Sequence, residues 1–289
     1  MTQSSQLRLY SRILFYFWIY TLLVILWGAW VRISHSGDGC GDHWPLCAGE
    51  FIPEFKLQKT WIEYAHRLMT GIYGLFVLFL FFKIRNWTTS LLSQRLNVSL
   101  LVLMITEALL GAILVKGQLV TTDDSVMRLI AMLFHQLNSF LLTGVTYLFY
   151  LSLKNEPQTL RMLSWKPLAL FILLPISGAI AALSVTLFPT ISLLEGILQD
   201  FATDSHVFVR LRIVHPTLAL TLGGGLMIWL FIRNHHRAGL EFLLAIAIGI
   251  MTLVTLSPVA LKMTHLLVAH LLWARLIYLF VSSPDSNNR

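Results

Sequence analysis

Four histidines lie at matching depth inside long apolar segments of the 289-residue chain: His66, His135, His215 and His265. Neutral imidazole is a common axial ligand of heme iron, and the surroundings of the iron tune its chemistry. A single histidine in a membrane helix serves equally well to hydrogen-bond a neighbouring helix. Four at matching depth indicate instead two hemes, each held between two imidazoles.

A carboxylate and an arginine accompany the first of these histidines in the run Glu63-Tyr64-Ala65-His66-Arg67. The i, i+3 spacing puts Glu63 and His66 on one helix face. Ionisable groups inside a membrane are costly, and they usually face a bundle interior with a functional partner. We therefore predict that Glu63 belongs to a reactive site. Arg67 can bind a heme propionate through its guanidinium, and snorkelling to lipid headgroups is the alternative.

His270 is a rival to His265 as the last ligand. It follows His265 by five residues, which is about 140° around a helix at about 100° per residue, so only one of the two can point at the pocket. The depth of His265 matches that of His66 more closely. We predict His265 as the ligand and a hydrogen bond from His270 to a neighbouring helix. The other histidines lie in predicted loops and are expected to be solvated: His35, His43, His206, His235 and His236.

The elements that carry these residues are membrane helices. Of the residues, 56% are hydrophobic and 12% are charged, whereas an average soluble domain has about 25% charged residues. Apolar stretches of roughly 20 residues, long enough to cross a bilayer, recur along the whole chain. We predict an all-α polytopic membrane protein with eight spans, at Arg12–Ile33, Ile62–Phe82, Leu91–Val115, Met127–Leu151, Pro167–Leu187, Val207–Ile232, Leu240–Val259 and Met263–Ser282.

The charge pattern predicts how these spans are oriented. The net charge of +7 comes from basic residues in the short connections, so it indicates membrane orientation and not nucleic-acid binding. By the positive-inside rule, both termini of this multi-pass cell-membrane protein are predicted to be cytoplasmic. The first span lacks a small-residue cleavage site, so we interpret it as a retained helix. The connection after it is predicted to face outward.

Both cysteines of the chain, Cys40 and Cys47, lie in this first outer connection. An outward compartment favours a disulfide, either structural or redox-active. The spacing is too wide for a typical paired-thiolate zinc site, and no second cysteine pair completes one. A disulfide is therefore predicted over a metal site.

A weak internal repeat divides the chain. Gly28-Ala29 at the end of span one and Gly178-Ala179 in span five each precede a long outer connection, and each even-numbered span has one candidate ligand near its outer end. This pattern predicts two pseudo-repeated four-helix bundles, residues 1–155 and 156–289, each clamping one iron between two facing helices.

Several motifs resemble one known family. The most specific are Gly37-Asp38-Gly39-Cys40 through Trp44-Pro45-Leu46-Cys47-Ala48-Gly49 and the Glu63-to-Arg67 run; weaker matches surround Gly111, His135, His215 and His265. Together they are similar to heme A synthases of the CtaA type, in the form that carries outer-loop cysteines.

The resemblance implies an oxidoreductase that converts a ring methyl of heme O to the formyl group of heme A, for cytochrome oxidase. It implies that His66 and His135 hold substrate heme O, that Glu63 is catalytic, and that His215 and His265 hold a heme b cofactor. It also implies partnership with heme O synthase and the cytochrome oxidase assembly machinery, and it is compatible with a homo-oligomer. Two alternatives remain open: a di-heme b-type electron-transfer protein and a non-catalytic heme carrier or assembly factor.

Overall fold

The computed structural model describes residues 3–54, 57–85, 90–154 and 164–281. The predicted boundary between residues 155 and 156 and the predicted end of span eight at Ser282 lie outside these ranges. Within them, eight helices are long and apolar enough to cross a membrane, so the predicted all-α polytopic fold is confirmed. The helices are α1 Gln3–Ile33, α2 Gln58–Arg85, α3 Leu91–Lys116, α4 Val126–Lys154, α5 Lys166–Leu187, α6 Leu193–Phe201, α7 Val207–Leu211, α8 Val214–Leu218, α9 Gly224–Ile232, α10 His236–Val254 and α11 Val259–Phe280.

The sixth membrane span, residues Val207–Ile232, is built from α7, α8, a π-helical turn at Ala219–Gly223 and α9. Pro216 has no N–H to donate to the preceding turn, which weakens the helix at this point. Wide turns of this kind often occur at functional sites. His215 therefore lies on an irregular part of its span, beside the proline.

The boundary between spans seven and eight differs from the prediction, which placed Val259 at the end of span seven. Helix α10 ends at Val254, and α11 already begins at Val259. Leu256 and Ser257 adopt left-handed φ values of 59° and 61°, which helices of L-residues exclude. Pro258 then starts the next helix in extended conformation.

The helices pack as two rings of four. In the first ring α1 contacts α2, α2 contacts α3, α3 contacts α4, and α4 returns to α1. In the second ring α5 contacts the sixth span, which contacts α10, and α11 joins α10 to α5. The two histidine-bearing helices of each ring are thus diagonal partners.

The two rings meet along α4, which packs against both α5 and α11. Trp273 of α11 donates from its indole N–H to the Phe140 carbonyl at 2.8 Å. Gly144 permits this approach, because a Cβ there would lie 2.4 Å from the indole nitrogen. His270 is 1% exposed and pairs with Thr143 of α4 at 3.1 Å. The predicted contact of His270 with a neighbouring helix is therefore present.

Candidate functional site

The histidine pair of the second ring has the geometry of a shared metal site. The ring centres of His215 and His265 are 6.1 Å apart and the ring planes are inclined by 72°. Two imidazoles that bind one iron from opposite sides, each at about 2 Å, have ring centres about 6 Å apart. His215 Nδ1 lies 3.1 Å from the Ser177 hydroxyl, which leaves Nε2 for the iron. The residues present therefore fit a heme iron.

The histidine pair of the first ring lies on α2 and α4. In both residues Nδ1 is buried, and it has no hydrogen-bond partner among the described residues. Nε2 is the nitrogen that either residue would offer to a ligand between the helices. Binding of one heme iron by this pair stays a prediction.

Three of the four rings pack against a glycine on the preceding membrane helix. A Cβ on that glycine would lie 3.0 to 3.2 Å from the histidine Cε1, closer than an ordinary van der Waals contact. The glycine therefore allows the imidazole to lie flat against its neighbouring helix, and it explains the repeated glycines of the sequence. The pairs are Gly28 with His66, Gly178 with His215, and Gly249 with His265.

Glu63 is a buried carboxylate near the N-terminal end of α2, with 3% exposure. Its Oε2 accepts a hydrogen bond from the Cys40 backbone N–H at 2.8 Å. Its Oε1 accepts from Arg67, whose Nε lies 3.1 Å away. Charge-assisted hydrogen bonds of this kind are among the strong ones. Both oxygens of Glu63 are therefore engaged by protein groups.

The loop above Glu63 is closed by a disulfide between Cys40 and Cys47, as predicted. Both cysteines are buried, at 0% and 1% exposure. The loop backbone presses on the start of α2, where a Cβ on Gly39 would fall 2.3 Å from the Lys59 carbonyl oxygen. The disulfide loop is thus a fixed cover over Glu63.

Arg67 connects the disulfide loop to α2 through hydrogen bonds. Its guanidinium donates to the carbonyls of His43, at 2.6 Å, and of Leu46, in addition to Glu63. These contacts direct the guanidinium toward the loop. The propionate contact predicted for Arg67 stays a prediction, and a propionate would have to share the arginine with these acceptors.

The second ring has a similar arginine. Arg212, three residues before His215, donates to the Gly196 carbonyl of α6 at 2.7 Å and pairs with Asp200. Burial raises the pKa of Asp200, and Arg212 partly offsets that rise. Helix α6 was not predicted; Ser192 caps it by accepting from the Glu195 N–H. In each ring, an arginine near a candidate ligand thus donates hydrogen bonds to a loop.

One polar residue at the first ring was missed in the sequence. Glu107 of α3 accepts from Asn138 Nδ2 at 2.7 Å and from the Ser139 hydroxyl at 2.5 Å. Its Oε2 also lies 3.6 Å from His135 Nδ1. The available signal was an acidic residue within an apolar span, four residues before Gly111.

A comparison with known proteins bears on this geometry. The family model COX15-CtaA, described as cytochrome oxidase assembly protein, matches residues 11–277. The chain belongs to the COX15-CtaA family. The match includes both cysteines, all four candidate ligands, Glu63 and Glu107, so both histidine pairs of this COX15-CtaA protein lie within the family's shared region.

Individual relatives add two further names. A protein of Thermus thermophilus named protoheme IX farnesyltransferase is 32% identical over 298 residues, covering 96% of this chain and 49% of the relative. A heme A synthase of Alkalihalophilus pseudofirmus is 37% identical over 113 residues, covering 37% and 36%. A heme A synthase of Symbiobacterium thermophilum is 50% identical over 54 residues, covering 19% and 17%. The chain spans about half the length of the Thermus relative.

Proposed function

We propose that the protein is a heme A synthase that oxidises a ring methyl group of heme O to a formyl group. In this proposal residues 1–155 bind substrate heme O between His66 and His135. Residues 156–289 bind heme b between His215 and His265, where the cofactor supplies one-electron transfer. The relatives named heme A synthase support the proposal, as does membership of a family described by cytochrome oxidase assembly.

The observation that carries the proposal is the chemical inequality of the two rings. Glu63 is a buried carboxylate three residues from His66, under a disulfide-closed cover. In the second ring, the carboxylate paired with the arginine is Asp200 of α6, which lies on the loop and not on the histidine-bearing span. Two hemes that serve the same electron-transfer role would not require different surroundings. A heme that reacts and a heme that serves as cofactor would.

The reaction removes electrons from a methyl group and adds oxygen from water. In the first step the methyl and one water give a hydroxymethyl, two protons and two electrons. In the second, the hydroxymethyl and another water give a hydrate, with the same release, and the hydrate loses water to leave the formyl group. Four electrons leave in all, so the reaction needs an external electron acceptor.

Glu63 has two candidate roles in these steps. It can stabilise positive charge that develops beside the ring, or it can take a proton from the attacking water. Its contacts with Arg67 and the Cys40 N–H fix the carboxylate in place, which suits the first role. Oε2 accepts only the Cys40 N–H and has a second lone pair, so the second role is compatible with the same contacts.

The supply of substrate follows from its chemistry. Heme O carries a long apolar tail, so entry between helices from the lipid fits the eight-span fold. The reaction before this one must attach that tail to heme. The Thermus relative, named for that farnesyl transfer, is about twice as long as its matched part. The name of this relative supports a heme O synthase as partner. The outward cysteine loop and cytoplasmic termini complete the proposed topology.

The test replaces Glu63 by glutamine in protein expressed with a heme O source. E63Q should keep both hemes and fail to form heme A, measured by chromatography and mass spectrometry of the extracted hemes. The matched control is E241Q, because Glu241 is also paired with an arginine, Arg275, but lies outside the proposed site. Normal heme A formation by E63Q would remove Glu63 from the catalytic role.

The di-heme electron-transfer alternative makes a different prediction for the same sample. It expects two hemes b per chain and no heme A in the wild-type protein, whatever residue occupies position 63. A heme carrier would contain heme O without converting it. The extracted hemes therefore separate all three functions.

A further inference from the structure

The four candidate ligands differ in the residue of the preceding odd-numbered span that packs against them. Three rings lie against a glycine, as described above. The fourth, His135, has no such contact, since a Cβ on Gly111 of α3 would meet nothing within 4 Å. One turn before Gly111, the same helix instead presents Glu107 to His135 Nδ1 at 3.6 Å. His135 therefore has a carboxylate beside it, whereas each of the other three histidines contacts a glycine.

Glu107 is held in a fixed position by α4. Asn138 donates to Oε2 and to the Leu103 carbonyl, at 2.7 and 2.9 Å, so it bridges α3 and α4. Ser139 donates to Oε1 at 2.5 Å. These donors follow His135 by one helical turn. The carboxylate and the imidazole are thus both positioned by the same stretch of α4.

His135 Nδ1 is buried and has no hydrogen-bond partner among the described residues. The 3.6 Å separation from Glu107 is longer than a hydrogen bond, but a ring movement of about 0.7 Å brings it to the usual 2.9 Å. The two ring nitrogens point in nearly opposite directions. A bond from Nδ1–H to Glu107 therefore aims Nε2 at the centre of the ring of helices.

The other three candidate ligands have no carboxylate at Nδ1. His215 has the Ser177 hydroxyl, and His265 Nδ1 has no hydrogen-bond partner among the described residues. His66 Nδ1 has no acceptor in the part of the chain that the structure describes, and both oxygens of Glu63 serve other donors. Among the described residues, only His135 is backed by a carboxylate.

We propose that Glu107 is a positioning residue that accepts a hydrogen bond from His135 Nδ1–H and makes His135 the strongest electron donor of the four ligands. A carboxylate acceptor raises the basicity of a metal-bound imidazole. A stronger donor stabilises ferric over ferrous iron, so the first-ring heme has a lower reduction potential than it would have without Glu107. The inference rests on the proposed heme site between His66 and His135, and it does not require turnover.

The test is a spectroscopic redox titration of purified, heme-loaded protein. The signal that disappears in His66→Ala belongs to the first-ring heme, and the remaining signal belongs to the second-ring heme. Changes next to a metal ligand typically alter affinity about tenfold or more. An about tenfold loss of ferric preference in Glu107→Gln raises the first-ring potential by about 59 mV for one electron, with the second-ring potential unmoved. Ser177→Ala is the matched control, because it removes the acceptor of His215 and should alter only the second ring.

An unchanged first-ring potential in Glu107→Gln, with both hemes bound, would overturn the proposal. If that variant does not load its first-ring heme, Glu107→Asp decides: the shorter side chain withdraws the carboxylate, so a raised potential supports the proposal and an unchanged one overturns it. Failure of the proposed function would be seen in the wild-type protein instead. Either that protein has no heme whose binding depends on His66, or it binds its hemes normally and forms no heme A.

Discussion

Replacing Gly28 by alanine tests the first-ring histidine pair directly. The new Cβ would lie 3.0 Å from Cε1 and 3.2 Å from Nε2 of His66. A relaxed contact between such atoms is about 3.5 Å or more, so the imidazole must move by about 0.5 Å. The displaced nitrogen is the one available to iron. We expect first-ring heme to bind about tenfold more weakly, as for other changes beside metal ligands.

The chain offers a matched control on the next odd-numbered helix. Gly111→Ala adds the same methyl where nothing lies within 4 Å. Alanine is about 1 kcal/mol more favourable than glycine within a helix, so this variant should be as stable as the wild type or more so. In Gly28→Ala the crowding costs about 1–3 kcal/mol, which offsets or exceeds that gain. Both variants change one methyl in a membrane helix.

The assay is heme content per chain in detergent, from hemochrome spectra and extraction, together with heme titration of the stripped protein. Gly28→Ala should fall from two hemes toward one at limiting heme, and Gly111→Ala should retain two. Gly178→Ala should lose the other heme, since its Cβ would lie 3.2 Å from His215. Full and tight heme binding by Gly28→Ala would refute the close packing of His66 on α1. An equal loss in Gly111→Ala would make the effect one of general helix packing.

Two further variants test the cover and the choice of ligand. Arg67→Ala removes one partner of a buried ion pair with Glu63, which costs about 3–5 kcal/mol, so thermal unfolding should occur at a clearly lower temperature. Lys59→Ala is the control, because the ion pair of Lys59 is half exposed, and it should change the unfolding temperature little. His270→Leu loses the hydrogen bond to Thr143, worth about 1 kcal/mol, and should keep both hemes. Loss of one heme in that variant would make His270 the ligand on α11.

Hydrophobicity was sufficient to predict the eight spans, because a bilayer demands long apolar helices. It was insufficient for the end of span seven, because Leu256, one of the left-handed residues that follow α10, is itself apolar. It was also insufficient for α6, whose formation depends on the cap at Ser192. Local backbone conformation in these places depends on caps and prolines, to which a count of apolar residues is insensitive.

The candidate site was predicted unevenly for a related reason. The four histidines are detectable because each is a rare polar residue at a matching depth. Arg67 was predicted to meet a ligand, but besides Glu63 it donates to loop carbonyls that only tertiary folding brings to α2. Glu107 was missed because its partner His135 is 28 residues further along the chain and on another helix. A search for acidic residues within the predicted spans would have found it.

The most direct test of the central claim is the composition of hemes extracted from the wild-type protein, purified after expression with a heme O source. A heme A synthase with two unequal sites should contain heme b together with heme A or unconverted heme O, and heme A should accumulate in the host membrane. Two hemes b per chain, with no heme A in protein or membrane, would contradict the account and leave the di-heme electron-transfer protein in its place.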